Sequence, residues 1–187
     1  MGDKKKFSLL NKLVKRNGIV LWGSTSLDEP SVSELLQGFS GRQNVYNRSV
    51  SGLKIADAEN CLEQCVYELF PSRVIINLGE EDIKCCDNVA SLIEQYRWLL
   101  YKMHVALPAC QLVVTTVPGS GTACKDFNDG LKKLAKEFGC VFYSIPDALT
   151  EEEYVTEFLS AVKLSLYDSS LGYSGIATKA VFDLMMQ

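Results

Sequence analysis

The sequence predicts an α/β domain, a three-layer α/β/α sandwich around a five-stranded parallel sheet. Three observations lead there. Five short apolar runs read as strands buried on both faces, segments with helical periodicity separate them, and the connectors are short. Strands that alternate with helices form a parallel sheet covered on both sides, because each crossover returns over one face. With 187 residues and 47% hydrophobic content, the chain suits one domain with a sizeable core.

The elements follow in order. Residues 1–17 form a basic helical segment in which Lys4, Lys5, Lys6, Lys12, Lys15 and Arg16 alternate with Phe7, Leu9, Leu10, Leu13 and Val14. Lys12 and Lys15 interrupt any signal-peptide core, and Lys6 stands where a myristoylation signal wants Ser or Thr. The segment reads as a short amphipathic helix packed on the domain with its lysines in water; contact of its basic face with a membrane surface or a partner is the less favoured alternative. Residues 18–187 form the single domain, without repeat, low-complexity tract or composition shift. Its strands are Ile19–Trp22, Val45–Asn47, Val74–Leu78, Leu112–Thr116 and Cys140–Tyr143. One helical stripe runs through Ile55, Ala58, Leu62, Cys65, Val66 and Leu69. A second runs through Val89, Leu92, Ile93, Tyr96, Leu100, Met103 and Leu107. A third, through Phe127, Leu131, Leu134 and Phe138, stops at Gly139. Thr150 and Glu153 make a capping box for a helix reaching about Ala161, and a last helix spans about Gly175 to Met185.

Charge and composition exclude several roles. A net charge of −4 gives no overall footprint for nucleic acid. No apolar run is long enough to span a bilayer. The seven cysteines are odd in number, and no export signal is apparent, so buried, reduced thiols in a cytoplasmic protein are expected rather than a disulfide framework. Cys61 and Cys65 lack a second pair or a helper histidine for zinc.

In open parallel sheets, ligands bind outside the carboxyl ends of the strands. The segments there are Gly23-Ser24-Thr25-Ser26, Ser49–Gly52, Gly79-Glu80-Glu81-Asp82 and Val117-Pro118-Gly119. Their glycines also suit plain strand-to-helix turns. The blocks Val20-Leu21-Trp22-Gly23-Ser24-Thr25, Asn47-Arg48-Ser49-Val50-Ser51-Gly52, Ile75-Ile76-Asn77-Leu78-Gly79-Glu80-Glu81-Asp82-Ile83 and Tyr167-Asp168-Ser169-Ser170-Leu171 occur in that order. Together they resemble the SGNH (GDSL-type) hydrolases over about residues 18–186. That family carries Gly-Asp-Ser, Asn-x-x-x-Ser-Gly, Gly-x-Asn-Asp and Asp-x-x-His. The resemblance implies a flavodoxin-like sheet in the order 2-1-3-4-5, no cofactor, and a cleft formed by Gly23, Ser24, Thr25, Ser26, Gly52, Glu81 and Asp168.

The catalytic pattern departs from the family's at three places. Thr25 holds the nucleophile position, with Ser24 before it and Ser26 after it; Leu171 stands where the resemblance puts the base, three residues after Asp168. A hydroxyl without an adjacent base is inert. The one histidine, His104, sits late on a helix that leads away from the site, roughly 24 Å beyond Asn88 along the axis. Glu81 occupies the position of the oxyanion-binding asparagine, and an ionised carboxylate only accepts hydrogen bonds. Asp82 is expected to cap the helix that follows it. Two functions follow: a non-catalytic module binding a small molecule, an acylated or carbohydrate ligand or a protein partner, and an acyl or acetyl ester hydrolase, carbohydrate esters included, attacking through Ser24, Thr25 or Ser26. A cation held by Glu80, Glu81 and Asp168 is a weaker alternative.

Overall fold

Five strands, β1 (Ile19–Gly23), β2 (Val45–Asn47), β3 (Arg73–Asn77), β4 (Gln111–Thr115) and β5 (Val141–Tyr143), form one sheet in the order β2-β1-β3-β4-β5. Every neighbouring pair is parallel. The computed structural model describes residues 2–27, 44–146, 153–154, 156–158 and 160, with side chains from Lys6 onward. The order is the one the resemblance implies, and most strand limits fall within one residue of those read from the sequence.

The apolar runs are continuous because both sheet faces are covered. Val20, Trp22, Val74, Ile76, Leu112 and Val114 point into the larger core, while Ile19, Leu21, Ile75 and Val113 point into the smaller one. This is the two-residue alternation of a strand, with apolar residues on both sides. Helices α1 (Gly2–Asn11), α2 (Ile55–Ala58), α3 (Leu62–Cys65), α5 (Val89–Ala106) and α6 (Thr122–Glu137) join a short α4 (Glu80–Ile83). The smaller core is closed by Leu27, Ile145, Tyr154 and Phe158.

The stripe from Ile55 to Leu69 is not one helix. It breaks into α2, α3 and two 3₁₀ turns, Glu59–Cys61 and Tyr67–Leu69, and ends at Phe70 in the left-handed region (φ 45°). Ile55, Ala58, Cys61, Leu62, Cys65, Val66 and Leu69 are all buried. Tightened turns let the chain keep these side chains on the core where an unbroken 3.6-residue period drifts off it. Helix α6 starts at Thr122, five residues before the first residue of its predicted stripe.

The N-terminal helix is held by few side chains. Phe7 is buried in the larger core, and the guanidinium of Arg48 stacks over its ring and donates to Asn11 Oδ1 from Nε (3.1 Å) and Nη2 (3.0 Å). Asn11 also donates to the Gln64 carbonyl (2.7 Å) and to Glu68 (2.9 Å). Leu9, Leu10 and Leu13, which an inward-facing amphipathic helix would bury, are exposed instead. Among the described residues no helix is long and apolar enough to cross a membrane.

None of the seven cysteines forms a disulfide. The expectation that they are buried needs correction: Cys61, Cys65 and Cys124 are buried, Cys86, Cys110 and Cys140 are half-buried, and Cys85 is exposed. Cys85 lies in the short polar link between α4 and α5, which has no core to face. The capping residue Thr150 and the expected helix over 175–185 lie outside the described residues, although residues 153–154, 156–158 and 160 are helical.

Candidate functional site

The site forms at the carboxyl edge of the sheet, where β1, β2 and β3 end side by side. Strand β1 closes on Gly23, aligned with Asn77 at the end of β3. A Cβ on Gly23 would meet the Asn77 carbonyl at 2.7 Å and Leu27 Cδ1 at 2.6 Å, so only glycine allows this approach. The chain then turns through Ser24 into a 3₁₀ turn, Thr25–Leu27. Gly79, at φ 116°, swings the end of β3 into α4, which carries Glu80, Glu81 and Asp82 on its first turn.

These two turns meet through consecutive side chains. Thr25 Oγ1 donates to Glu81 Oε1 at 2.8 Å and accepts from the Gly52 amide at 3.0 Å. Ser26 Oγ donates to Glu80 Oε2 at 2.6 Å, and the Ser26 amide donates to the same oxygen at 3.2 Å. Lys84 donates to Glu81 Oε1 at 2.9 Å and to Glu80 Oε1 at 3.3 Å. The Lys84 and Thr25 bonds hold the Glu81 carboxyl below its ordinary range, so it is an anion at neutral pH.

The structure therefore brings Gly23, Thr25, Gly52 and Glu81 together and separates the environments of the three hydroxyls. Thr25 is bonded to Glu81 and Ser26 to Glu80, whereas the buried Ser24 Oγ has no hydrogen-bond partner among the described residues. Asp168 and Leu171 lie outside the described residues. His104 is exposed on the last turn of α5.

Asp82 does not cap the helix that follows. Its Oδ2 accepts from the Ile55 amide at 3.1 Å, so it satisfies a free N–H at the start of α2, while Asn88 accepts from the Ser91 amide and caps α5. The short α4 points Asp82 across to the neighbouring loop, and burial there pushes its pKa up. Lys84 is the site residue that the sequence reading missed. Its signal was present, since Glu80 and Glu81 precede it by four and three residues, a spacing that joins side chains on a helix. The loop after β4 borders a cavity of about 580 Å³ lined by Gly119, Ser120, Gly121, Thr122, Cys124, Lys125 and Asp126, none of which belongs to the group around Thr25 and Glu81.

Chemically, the arrangement offers two hydroxyls, each facing a carboxylate, and both carboxylates accept from the same lysine, Lys84. Such a carboxylate takes up a proton less readily than an unpaired one.

No family model matches the chain, and no curated protein matches it in sequence. Solved structures do share its fold. A GDSL-like lipase from Bacteroides thetaiotaomicron aligns with a TM-score of 0.69 and 14% identity, covering 89% of this chain and 98% of the lipase. A psychrotrophic esterase from Pseudoalteromonas aligns at 0.63 and 15%, covering 81% of this chain and all (100%) of the esterase. An acetylxylan esterase from Geobacillus stearothermophilus aligns at 0.53 and 16%, covering 69% and 76%. The chain has the fold of the SGNH (GDSL-type) hydrolases.

Proposed function

We propose that this chain is a degenerate SGNH hydrolase that acts as a non-catalytic binding or interaction module in the cytoplasm. One observation carries the reading: the hydroxyl at the nucleophile position donates to Glu81, a carboxylate that Lys84 holds as an anion, instead of facing a histidine. General-base catalysis typically contributes ~10²- to 10⁴-fold, and an oxyanion donor ~10²- to 10³-fold. Without either, hydrolysis falls to the level of background. The remaining hydroxyls, the Gly52 amide and the carboxylates suit a small polar, acylated or carbohydrate ligand. Turnover of 4-nitrophenyl acetate tests the reading. Wild type and Thr25→Ala should both match the uncatalysed rate, whereas robust wild-type hydrolysis lost in Ser24→Ala, Thr25→Ala or Ser26→Ala overturns it.

The 2.8 Å contact from Thr25 to Glu81 also favours a second reading, an atypical acyl or acetyl ester hydrolase with Glu81 as base. Carbohydrate esters are its natural substrate class, since one structural neighbour is an acetylxylan esterase. In that case Lys84→Met, by freeing Glu81 to bind a proton, moves the acid limb of the pH–rate profile upward, and Glu81→Gln abolishes activity. If neither variant changes the rate, this second reading fails.

A further inference from the structure

We infer that the N-terminal segment is a docking surface for an anionic lipid bilayer. The first sixteen residues carry six basic side chains and one acid, a net of +5, so the remaining chain carries −9 of the overall −4. This segregation is joined to an apolar surface. Leu9 is 64% exposed and Leu13 is 84% exposed, with Leu10 and Phe70 also at the surface. Lys12, Lys15 and Arg16 are exposed around them. Among the described residues these three cations form no ion pair; Arg16 instead stacks over the Phe70 ring at 4.7 Å. Two carboxylates, Glu63 and Glu68, line the groove that Lys12, Arg16 and Phe70 share, and Glu68 keeps its charge while accepting from Ser8 and Asn11; the segment's net of +5 exceeds these two charges.

Leucines and an aromatic ring ringed by lysine and arginine match a lipid interface on both counts. The apolar side chains enter the headgroup boundary while the cations meet anionic headgroups. An acidic protein surface would satisfy the cations but leave the leucines in water. A second copy of this chain would satisfy the leucines but bring two basic segments together. The helix needs no rearrangement to dock, because Phe7, Asn11 and Arg48 already fasten its inner side to the domain.

The patch also has a fixed relation to the candidate site. Arg16 and Phe70 precede β1 and β3, at the amino edge of the sheet, whereas Thr25 and Glu81 follow the same strands. A five-residue strand separates the two edges by roughly 16 Å.

Co-sedimentation of the full chain with sucrose-loaded vesicles tests the inference. Binding is expected with phosphatidylcholine vesicles containing about 30% phosphatidylserine and not with phosphatidylcholine alone, and it should weaken as salt rises from about 0.1 to about 0.5 M. A basic residue near an anionic surface strengthens partition about fivefold, so Lys12→Glu with Lys15→Glu should weaken it about 25-fold or more. Leu9→Ser with Leu13→Ser should weaken it at least about tenfold through lost apolar burial. Circular dichroism melts check that the variants remain folded, and Leu13→Ser serves where the double variant does not. No sedimentation at low salt, equal binding to neutral vesicles, or unchanged binding by the charge variant overturns the inference. A dimer in solution that is lost in Leu13→Ser without vesicle binding also overturns it and assigns the patch to self-association.

Discussion

Glu81 shows how far a single position can alter a site. Its carboxylate bridges Thr25 and Lys84, and these bonds lower its pKa from 4.5. A carboxyl whose folded pKa is depressed stabilises the fold above its unfolded value, and that stability is lost as pH falls through the folded value. Asp82 acts with the opposite sign: burial raises its pKa from 3.8, so its contribution is present at low pH and lost as pH rises through the folded value. Glu81→Gln should therefore flatten the fall in melting temperature below about pH 4.5, while Asp82→Asn should leave that fall steeper. Thermal melts across this range check both. Restoring Thr25→Ser and Leu171→His should not produce hydrolysis while Glu81 remains, and adding Glu81→Asn should give the first activity above background. Sequence motifs located Thr25, Gly52 and Glu81; the spacing of Lys84 from Glu80 and Glu81 signalled its contact as well, but spacing alone does not tie that ion pair to the Thr25 hydroxyl. The thiols give a further test at this scale: an aromatic disulfide reagent should modify exposed Cys85 first and spare buried Cys61, Cys65 and Cys124, with seven thiols counted after denaturation.

At the level of elements, the strands were legible because parallel pairing demands unbroken apolar runs, and β1 and β3 are buried at every residue. The stripe over Ile55–Leu69 gave the correct buried residues but not their division into short turns, since periodicity reports which side chains face the core and not how regularly the backbone carries them. The start of α6 was missed because Thr122 to Asp126 carry little apolar signal; the turn at Gly119 and Gly121 sets that boundary instead. The junction of β3 and α4 leaves no room for a side chain. A Cβ on Gly79 would lie 2.4 Å from Phe127 Cε1 while φ stays at 116°. Gly79→Ala combines left-handed strain with overpacking and should destabilise by about 3 kcal/mol, read by urea denaturation. It should also loosen the Thr25–Glu81 contact, because α4 starts at the next residue.

For the molecule as a whole, the strand order was legible through the resemblance that the motif blocks carry, and the sheet has that order. Exposure of the N-terminal leucines was not, since an amphipathic pattern does not say whether its apolar side faces the domain or something outside it. The paired contacts of the cleft bear on its timing. Glu80, Glu81 and Asp82 are consecutive, and through their side chains they reach the Ser26 amide, the Thr25 hydroxyl that holds the Gly52 amide, and the Ile55 amide. Loops from three parts of the chain are thereby latched to one turn of helix. They should open together or not at all. Hydrogen exchange at Ser26, Gly52 and Ile55 should show one shared opening rate, and Gly79→Ala should accelerate all three amides alike. A ligand that bonds these carboxylates should therefore slow exchange at all three amides together, because one turn of helix holds them all.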